Sequence, residues 1–291
     1  MMIRPFCVLF MSILASGLAL AEPLKIVGSD LLNGSVDVEL AKFAKANDHE
    51  ISVEFKGSRL ALETLQAKQA DMGLMVFGAD DTKPGPEFTT VVVGYFTTFI
   101  AVPRSMVISQ ISFERMGAIF GARESSDARR WADIGVVGAL AQRNILAVAS
   151  GRRAGLSLDI FRYGVLSKPE LKSTVLLFDT APEAEGRISN DEGGIVLLPT
   201  APATNGKLKV LLLSKSARDV AYGPTPENLH SGDYPLRLPV QLVFRKGDAK
   251  RLGYLIRHLL ADETMPTLNA ANVIPLPTQA RNQVIFDLET M

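Results

Sequence analysis

Three stretches of the chain set small, hydroxylated or basic residues between an apolar run and an amphipathic one. They are Gly28-Ser29-Asp30, Gly57-Ser58-Arg59 and Arg152-Arg153-Ala154-Gly155-Leu156-Ser157. A turn that leads from a strand into a helix presents backbone N–H groups with no partner inside the helix, together with a partial positive charge. Such a turn suits an anion. The hydroxyls of Ser29, Ser58 and Ser157 add donors, and the guanidinium of Arg59, Arg152 or Arg153 adds a planar fork that matches an oxyanion. Taken singly, each turn is an ordinary capped helix, because Ser and Asp are the usual N-caps. The repetition of the same arrangement is what points to an anion.

Other chemistry has little to work with. The three histidines, His49, His230 and His258, show no metal-ligand spacing. There is no G-x-S-x-G elbow, no H-E-x-x-H and no phosphate-binding loop of the G-x-x-x-x-G-K type. The acidic pairs Asp80-Asp81 and Asp191-Glu192 fall in loops and read as solvated turn residues. No enzyme activity and no cofactor is expected.

The elements that must carry the three turns alternate along the chain. Leu24 to Val27 reads as a strand, and Val36 to Ala46 as a helix with apolar Val38, Leu40, Ala41 and Ala44 three and four apart. Ile51 to Phe55 alternates as a half-buried strand, Leu60 to Ala67 is helical, and Met72 to Val76 is a third apolar run. Strand and helix in turn are the mark of an α/β sheet with parallel strands. Thr89 to Val102 is a long β-rich stretch, and Phe113 to Phe120 and Ala128 to Ile134 read as helical. Ile145 to Ala149 is a buried strand ahead of the third turn, and Ser157 to Leu166 a helix after it. Val175 to Phe178, Ile195 to Leu198, Val210 to Leu213 and Leu238 to Phe244 read as strands, and Ala249 to Ala261 as a helix with Leu252, Leu255, Ile256 and Leu259 on one face.

The chain has 291 residues, 47% hydrophobic and 21% charged, with 31 basic and 31 acidic side chains. That balance gives no overall field toward nucleic acid or an anionic membrane, so attraction for an anion must be local. Arg4, the apolar run from Pro5 to Leu20 and the A-x-A site Ala19-Leu20-Ala21 form a secretory signal peptide over residues 1–21. The single cysteine, Cys7, lies within it, so disulfides and thiol chemistry are not expected in the mature chain. A periplasmic location follows.

The order of these segments resembles the periplasmic phosphate-binding proteins of ABC transporters, which have the type II periplasmic-binding-protein fold. Leu24 to Asp30 is similar to the family's opening strand and anion turn, Phe55 to Ala61 to its second turn, and Gln66 to Gly73 to the segment before its third strand. Ile111 to Gly121, followed by Arg130-Trp131-Ala132-Asp133-Ile134-Gly135, is the most specific piece, and Asp233 to Arg237 resembles the family's return to its first lobe. The resemblance implies two lobes, each with a mainly parallel sheet flanked by helices, joined by two hinge crossings. Residues 22–102 and 236–291 would form lobe I, and residues 103–235 lobe II. It also implies that Ser29, Asp30, Ser58 and Arg59 from the first lobe, and Arg152 or Arg153 with Gly155 and Ser157 from the second, face phosphate or a related oxyanion. The partner would be an ABC permease in the membrane, and the protein itself a monomer that does not bind nucleic acid. The chain departs from the family's pattern after Gly73, where apolar Leu74 to Phe77 replaces an acid, and at Ala154 and Leu156 in the third turn. A rival reading is a sensory or protein-interaction module with a degenerate cleft. A more distant one is a hydrolase with Ser157 as nucleophile.

Overall fold

The computed structural model of the chain describes residues 23–151 and 155–290. The signal peptide expected at residues 1–21, with Cys7, and Arg152 and Arg153 lie outside the described residues.

Apolar runs of about five residues build the first sheet. It opens with β1 (Leu24–Gly28), α1 (Val36–Ala46), β2 (Ile51–Phe55), α2 (Ser58–Gln66) and β3 (Met72–Val76). β1 pairs in parallel with β2 on one side and β3 on the other. All five residues of β3 are buried, as a strand covered on both faces requires. Val36, Leu40 and Ala44, four apart, are the buried stripe of α1. At the end of β1, Gly28 is fixed by close approach: a side-chain carbon there would overlap the Leu74 carbonyl and the Phe55 ring.

The chain then changes sheet. β4 (Phe88–Thr97) belongs to the first sheet, and after Thr98 alone β5 (Phe99–Pro103) belongs to the second. Residues 99–102 were expected in the first lobe but pair in the second sheet, 99–101 with residues 196–198 and Val102 with Lys209. The run from Val91 to Val102 is largely apolar, so its composition does not mark the change. β6 (Gln110–Ser112), α3 (Phe113–Phe120), β7 (Leu146–Ser150), α4 (Leu156–Val165), β8 (Leu176–Phe178), α5 (Ala181–Ile188) and β9 (Gly194–Leu198) follow. β10 (Leu208–Val210) and β11 (Leu212–Ser214) break the strand expected at Val210 to Leu213 in two, because the Leu211 N–H turns to the Ile100 carbonyl at 2.8 Å. The helix expected over Ala128 to Ile134 is only a 3₁₀ turn, Trp131–Ile134, stopped by Gly135 at φ 80°. The Asp133 carboxylate accepts from the N–H groups of Arg129 and Arg130, an arrangement that replaces a further helical turn.

α6 (Pro226–Ser231) precedes β12 (Arg237–Arg245), which returns to the first sheet, and α7 (Ala249–Leu260), α8 (Met265–Ala270), β13 (Ile274–Pro275) and α9 (Thr278–Thr290) close the chain. The first sheet runs β13-β4-β12-β3-β1-β2, the second β10-β5-β9-β7-β8, and β6 pairs with β11 apart from both. Each large sheet is mixed rather than mainly parallel. β1–β2 and β1–β3 are parallel in the first, and β7–β8 and β7–β9 in the second. The strands on either side of the sheet change, β4, β5 and β12, pair antiparallel, since they do not return through a helix to their own sheet. One core, around Ile26, Leu74, Phe244 and Ile256, lies against the first sheet. Another, around Phe120, Trp131, Phe161 and Leu197, lies against the second. The expected face of α7 is buried in full.

Candidate functional site

The two chain crossings between the sheets are laced together. The Thr97 hydroxyl donates to the Leu236 carbonyl at 2.6 Å, and the Tyr234 hydroxyl donates to the Thr98 carbonyl at 2.6 Å. The Thr98 hydroxyl donates in turn to the carbonyl of Ser157 at 2.5 Å. Thr97, Thr98 and Tyr234 are all buried. Burial pushes the Tyr234 phenol well above its ordinary range, so it stays a donor. Beside this lace the Arg237 guanidinium lies over the Tyr95 ring at 5.1 Å and donates to the Leu229 and His230 carbonyls.

The first turn of α4 therefore stands where the crossings meet. Its N-cap is Gly155, which has no side chain to satisfy the helix's first N–H groups. Gly151, at φ 104°, and Gly155 lie so close that a side-chain carbon on either would overlap the other's backbone. Ser157 is 6% exposed, and its Oγ has no hydrogen-bond partner among the described residues. A buried hydroxyl with no partner is uncommon and costly.

This turn faces a cavity of about 190 Å³. Ser150, Gly151, Gly155, Leu156 and Ser157 line it from the second sheet, with Asp179 and Ala181 at the β8–α5 turn and Pro199 after β9. Leu31, Phe96 and Thr97, with Ala271 and Asn272, line it from the first. Leu156 also borders a wider hollow of about 400 Å³ on the other flank of α4, lined by Gly78 to Asp81, Ile160, Tyr163 and Pro235.

The residues expected to form the site divide. Gly155 and Ser157 line the cavity. Ser29 is buried, and its Oγ accepts from the Leu31 N–H at 3.4 Å, capping the 3₁₀ turn Asp30–Leu32. Asp30 is exposed on that turn, and its neighbour Leu31 is the residue that reaches the cavity. The Ser58 Oγ accepts from the Val76 N–H at 2.9 Å and so pins α2 to the end of β3. The Arg59 side chain is 92% exposed and pairs with Glu63 one turn on, at 3.6 Å. These four turn residues are engaged locally or face solvent. Arg152 and Arg153 lie outside the described residues, between two that line the cavity, Gly151 and Gly155.

Thr97, Ser150, Asp179 and Asn272 belong to the cavity and were missed. Asp179-Thr180 follows a strand and opens a helix, the same architecture as the three turns singled out, and could have been found by it. Thr180 caps α5 in a reciprocal box: its N–H donates to the Glu183 carboxylate at 3.1 Å, and its Oγ accepts from the Glu183 N–H at 3.4 Å. Thr180→Ala is expected to lower folding stability by about 0.5–2 kcal/mol, read from urea unfolding. A loss indistinguishable from zero would mean that the cap is dispensable. Asn272 holds φ 60°, a left-handed position that Asn tolerates, so its sequence signal is that of a plain helix end.

The histidines lie elsewhere. His258 stacks on Phe43 at 4.0 Å with its Nε2 3.3 Å from Glu39 Oε1, His49 stands 4.5 Å from the Tyr254 ring, and His230 contacts Tyr95. The acidic pairs are turn residues: Asp81 accepts from the Gly78 N–H, Asp191 from the Gly193 N–H, and Glu192 pairs with Arg143. Among the described residues no group of three His, Cys, Asp or Glu could hold a metal ion, and no helix is long and apolar enough to cross a membrane.

Two mixed sheets flanked by helices, two crossings between them and a cavity where the crossings meet define the periplasmic-binding-protein fold. Solved structures agree. PstS from Borrelia burgdorferi aligns over 88% of this chain and 99% of its own, with a TM-score of 0.71 and 14% identity. A possible phosphate-binding protein from Planctomyces limnophilus aligns over 92% of this chain and 98% of its own, with a TM-score of 0.66 and 16% identity. An ABC-type phosphate transport receptor from Vibrio cholerae aligns over 87% and 100%, with a TM-score of 0.63 and 15% identity. The chain shares the fold of these proteins. No protein-family model and no curated protein matches the sequence.

Proposed function

We propose that this chain is an extracytoplasmic solute-binding protein that captures phosphate or a related oxyanion and delivers it to an ABC permease. The observation that carries the reading is Ser157: a buried hydroxyl without a partner among the described residues, on a first turn of α4 whose N-cap is glycine, lining the cavity between the sheets. An oxyanion would accept from that hydroxyl and from the first N–H groups of the helix. The fold shared with proteins named for phosphate supports the reading. So does the placement of Arg152 and Arg153 in the chain between two lining residues. The two lobes of this proposal follow the sheets, residues 22–97 with 237–291 and residues 99–234, with the hinge at Thr98 and at 235–236. Capture is by lobe closure; no bond is made or broken, and the protein acts as a monomer. The signal peptide at residues 1–21 would deliver it to the periplasm.

Titration calorimetry on residues 22–291 tests this. Phosphate, or sulfate in its place, is expected to bind, and Ser157→Ala is expected to weaken it at least tenfold, since hydrogen bonds to charged groups contribute about 1.5–3 kcal/mol. Absence of heat with every oxyanion would overturn the reading. A second one, a sensory or protein-interaction module, is favoured by the first sheet's turns, where Ser29 and Ser58 already accept from the N–H groups of Leu31 and Val76 and Arg59 pairs with Glu63. On that reading no oxyanion binds.

A further inference from the structure

The cavity is two-faced. Ser157 Oγ and the opening turn of α4 supply donors on one side. Leu31, Phe96, Leu156 and Pro199 supply an apolar wall, and Thr97, Ser150, Asp179 and Asn272 stand beside it on the same lining. Leu31 is 42% exposed on a 3₁₀ turn, so it faces the cavity without serving as core. A bare tetrahedral oxyanion carries oxygen in every direction. An oxygen directed at Leu31 or Phe96, rather than at Thr97 or Asn272, loses water and gains no hydrogen bond, and the Asp179 carboxylate disfavours a ligand charged on every side. A ligand with an anionic head and one short hydrocarbon arm matches both faces: oxygen toward α4, carbon toward Leu31 and Phe96.

Resting on the binding-cleft reading above, we propose that the preferred ligand is an oxyanion bearing a short apolar substituent, an alkylphosphonate or a small alkyl phosphate, rather than inorganic phosphate. The head is held by the Ser157 hydroxyl and the α4 turn. The substituent displaces water from the wall, and each methylene buried there strengthens binding about fourfold.

The test is a calorimetric series on residues 22–291 with phosphate, methyl-, ethyl- and propylphosphonate, and ethyl phosphate. Ethylphosphonate is expected to bind about tenfold or more tightly than phosphate, with affinity rising along the series until the wall is filled. Ethyl phosphate tighter than ethylphosphonate would support the proposal and identify the ester as the better source of the head group. Leu31→Ser, a change at a partly exposed position, is expected to narrow the gap between ethylphosphonate and phosphate. Phosphate binding as tightly as every substituted ligand would overturn this inference and leave the oxyanion-receptor reading standing. Silence from every ligand would overturn both.

Discussion

Trp131→Ala is expected to lower folding stability by about 3–5 kcal/mol, the range for emptying a buried aromatic site. Trp131 is fully buried although it stands on a 3₁₀ turn of four residues. Its ring fills the second sheet's core together with Phe120 and Phe161, whose own rings meet edge-on at 5.3 Å. Its indole N–H donates to the Gly193 carbonyl at 3.1 Å. That carbonyl also accepts from the Leu146 N–H, so it is not orphaned when the indole goes. The loss is therefore one of packing, and Trp131→Phe should recover a large part of it. This is the only tryptophan in the chain, so unfolding of the variants must be followed by far-ultraviolet circular dichroism rather than indole emission. A loss below about 1 kcal/mol would mean that the surrounding turns collapse into the space.

Tyr234→Ala is expected to cost a similar amount, about 3–5 kcal/mol, because the ring is fully buried. Tyr234→Phe separates the hydroxyl from the ring. It removes the donor to the Thr98 carbonyl and is expected to cost about 1–3 kcal/mol, the penalty for a buried acceptor left without its partner. On the proposed oxyanion reading the phenylalanine variant also alters anion affinity, since Thr98 holds the first turn of α4 through the Ser157 carbonyl. A stability loss with wholly unchanged binding would separate the lace from the cavity. The pH dependence has a definite sign. Burial raises the phenol's pKa in the folded chain, so its contribution is full below about pH 10 and declines above it, where the unfolded chain's tyrosine ionises first.

Local patterns carried much of the fold. The period of α7 and the continuous apolar run of β3 are properties of short windows, and the structure has them where the residues indicate. α1 has its expected bounds, but Val38 and Ala41 of its expected face are exposed, and Val36 is buried with Leu40 and Ala44 instead. The sheet change at Thr98 is not such a property. It depends on which distant strand takes up each edge, and β4 and β5 look alike in composition. The site shows the same limit. Ser29, Ser58 and Ser157 are each a serine at the start of a helix or turn, yet Ser29 accepts from Leu31, Ser58 from Val76 on another element, and the Ser157 hydroxyl has no partner among the described residues. Residue type sets what a side chain can donate or accept. Its direction depends on a backbone partner as remote as Val76 is from Ser58, and no local period records that.

The position of β12 sets an order of assembly. It lies between β4 and β3, pairing antiparallel with both, although it follows β4 by well over a hundred residues. The middle of the first sheet thus stays open until residues 237–245 arrive, while the second sheet uses strands only from residues 99–210. Before then β3 presents an apolar edge, the kind of edge that pairs with other chains. The second sheet is free to form early and the first must close late, on contacts of long sequence separation that slow folding. Because a chain is synthesised from its N-terminus, the first sheet cannot close until most of the chain has been made, while the second can already be in place.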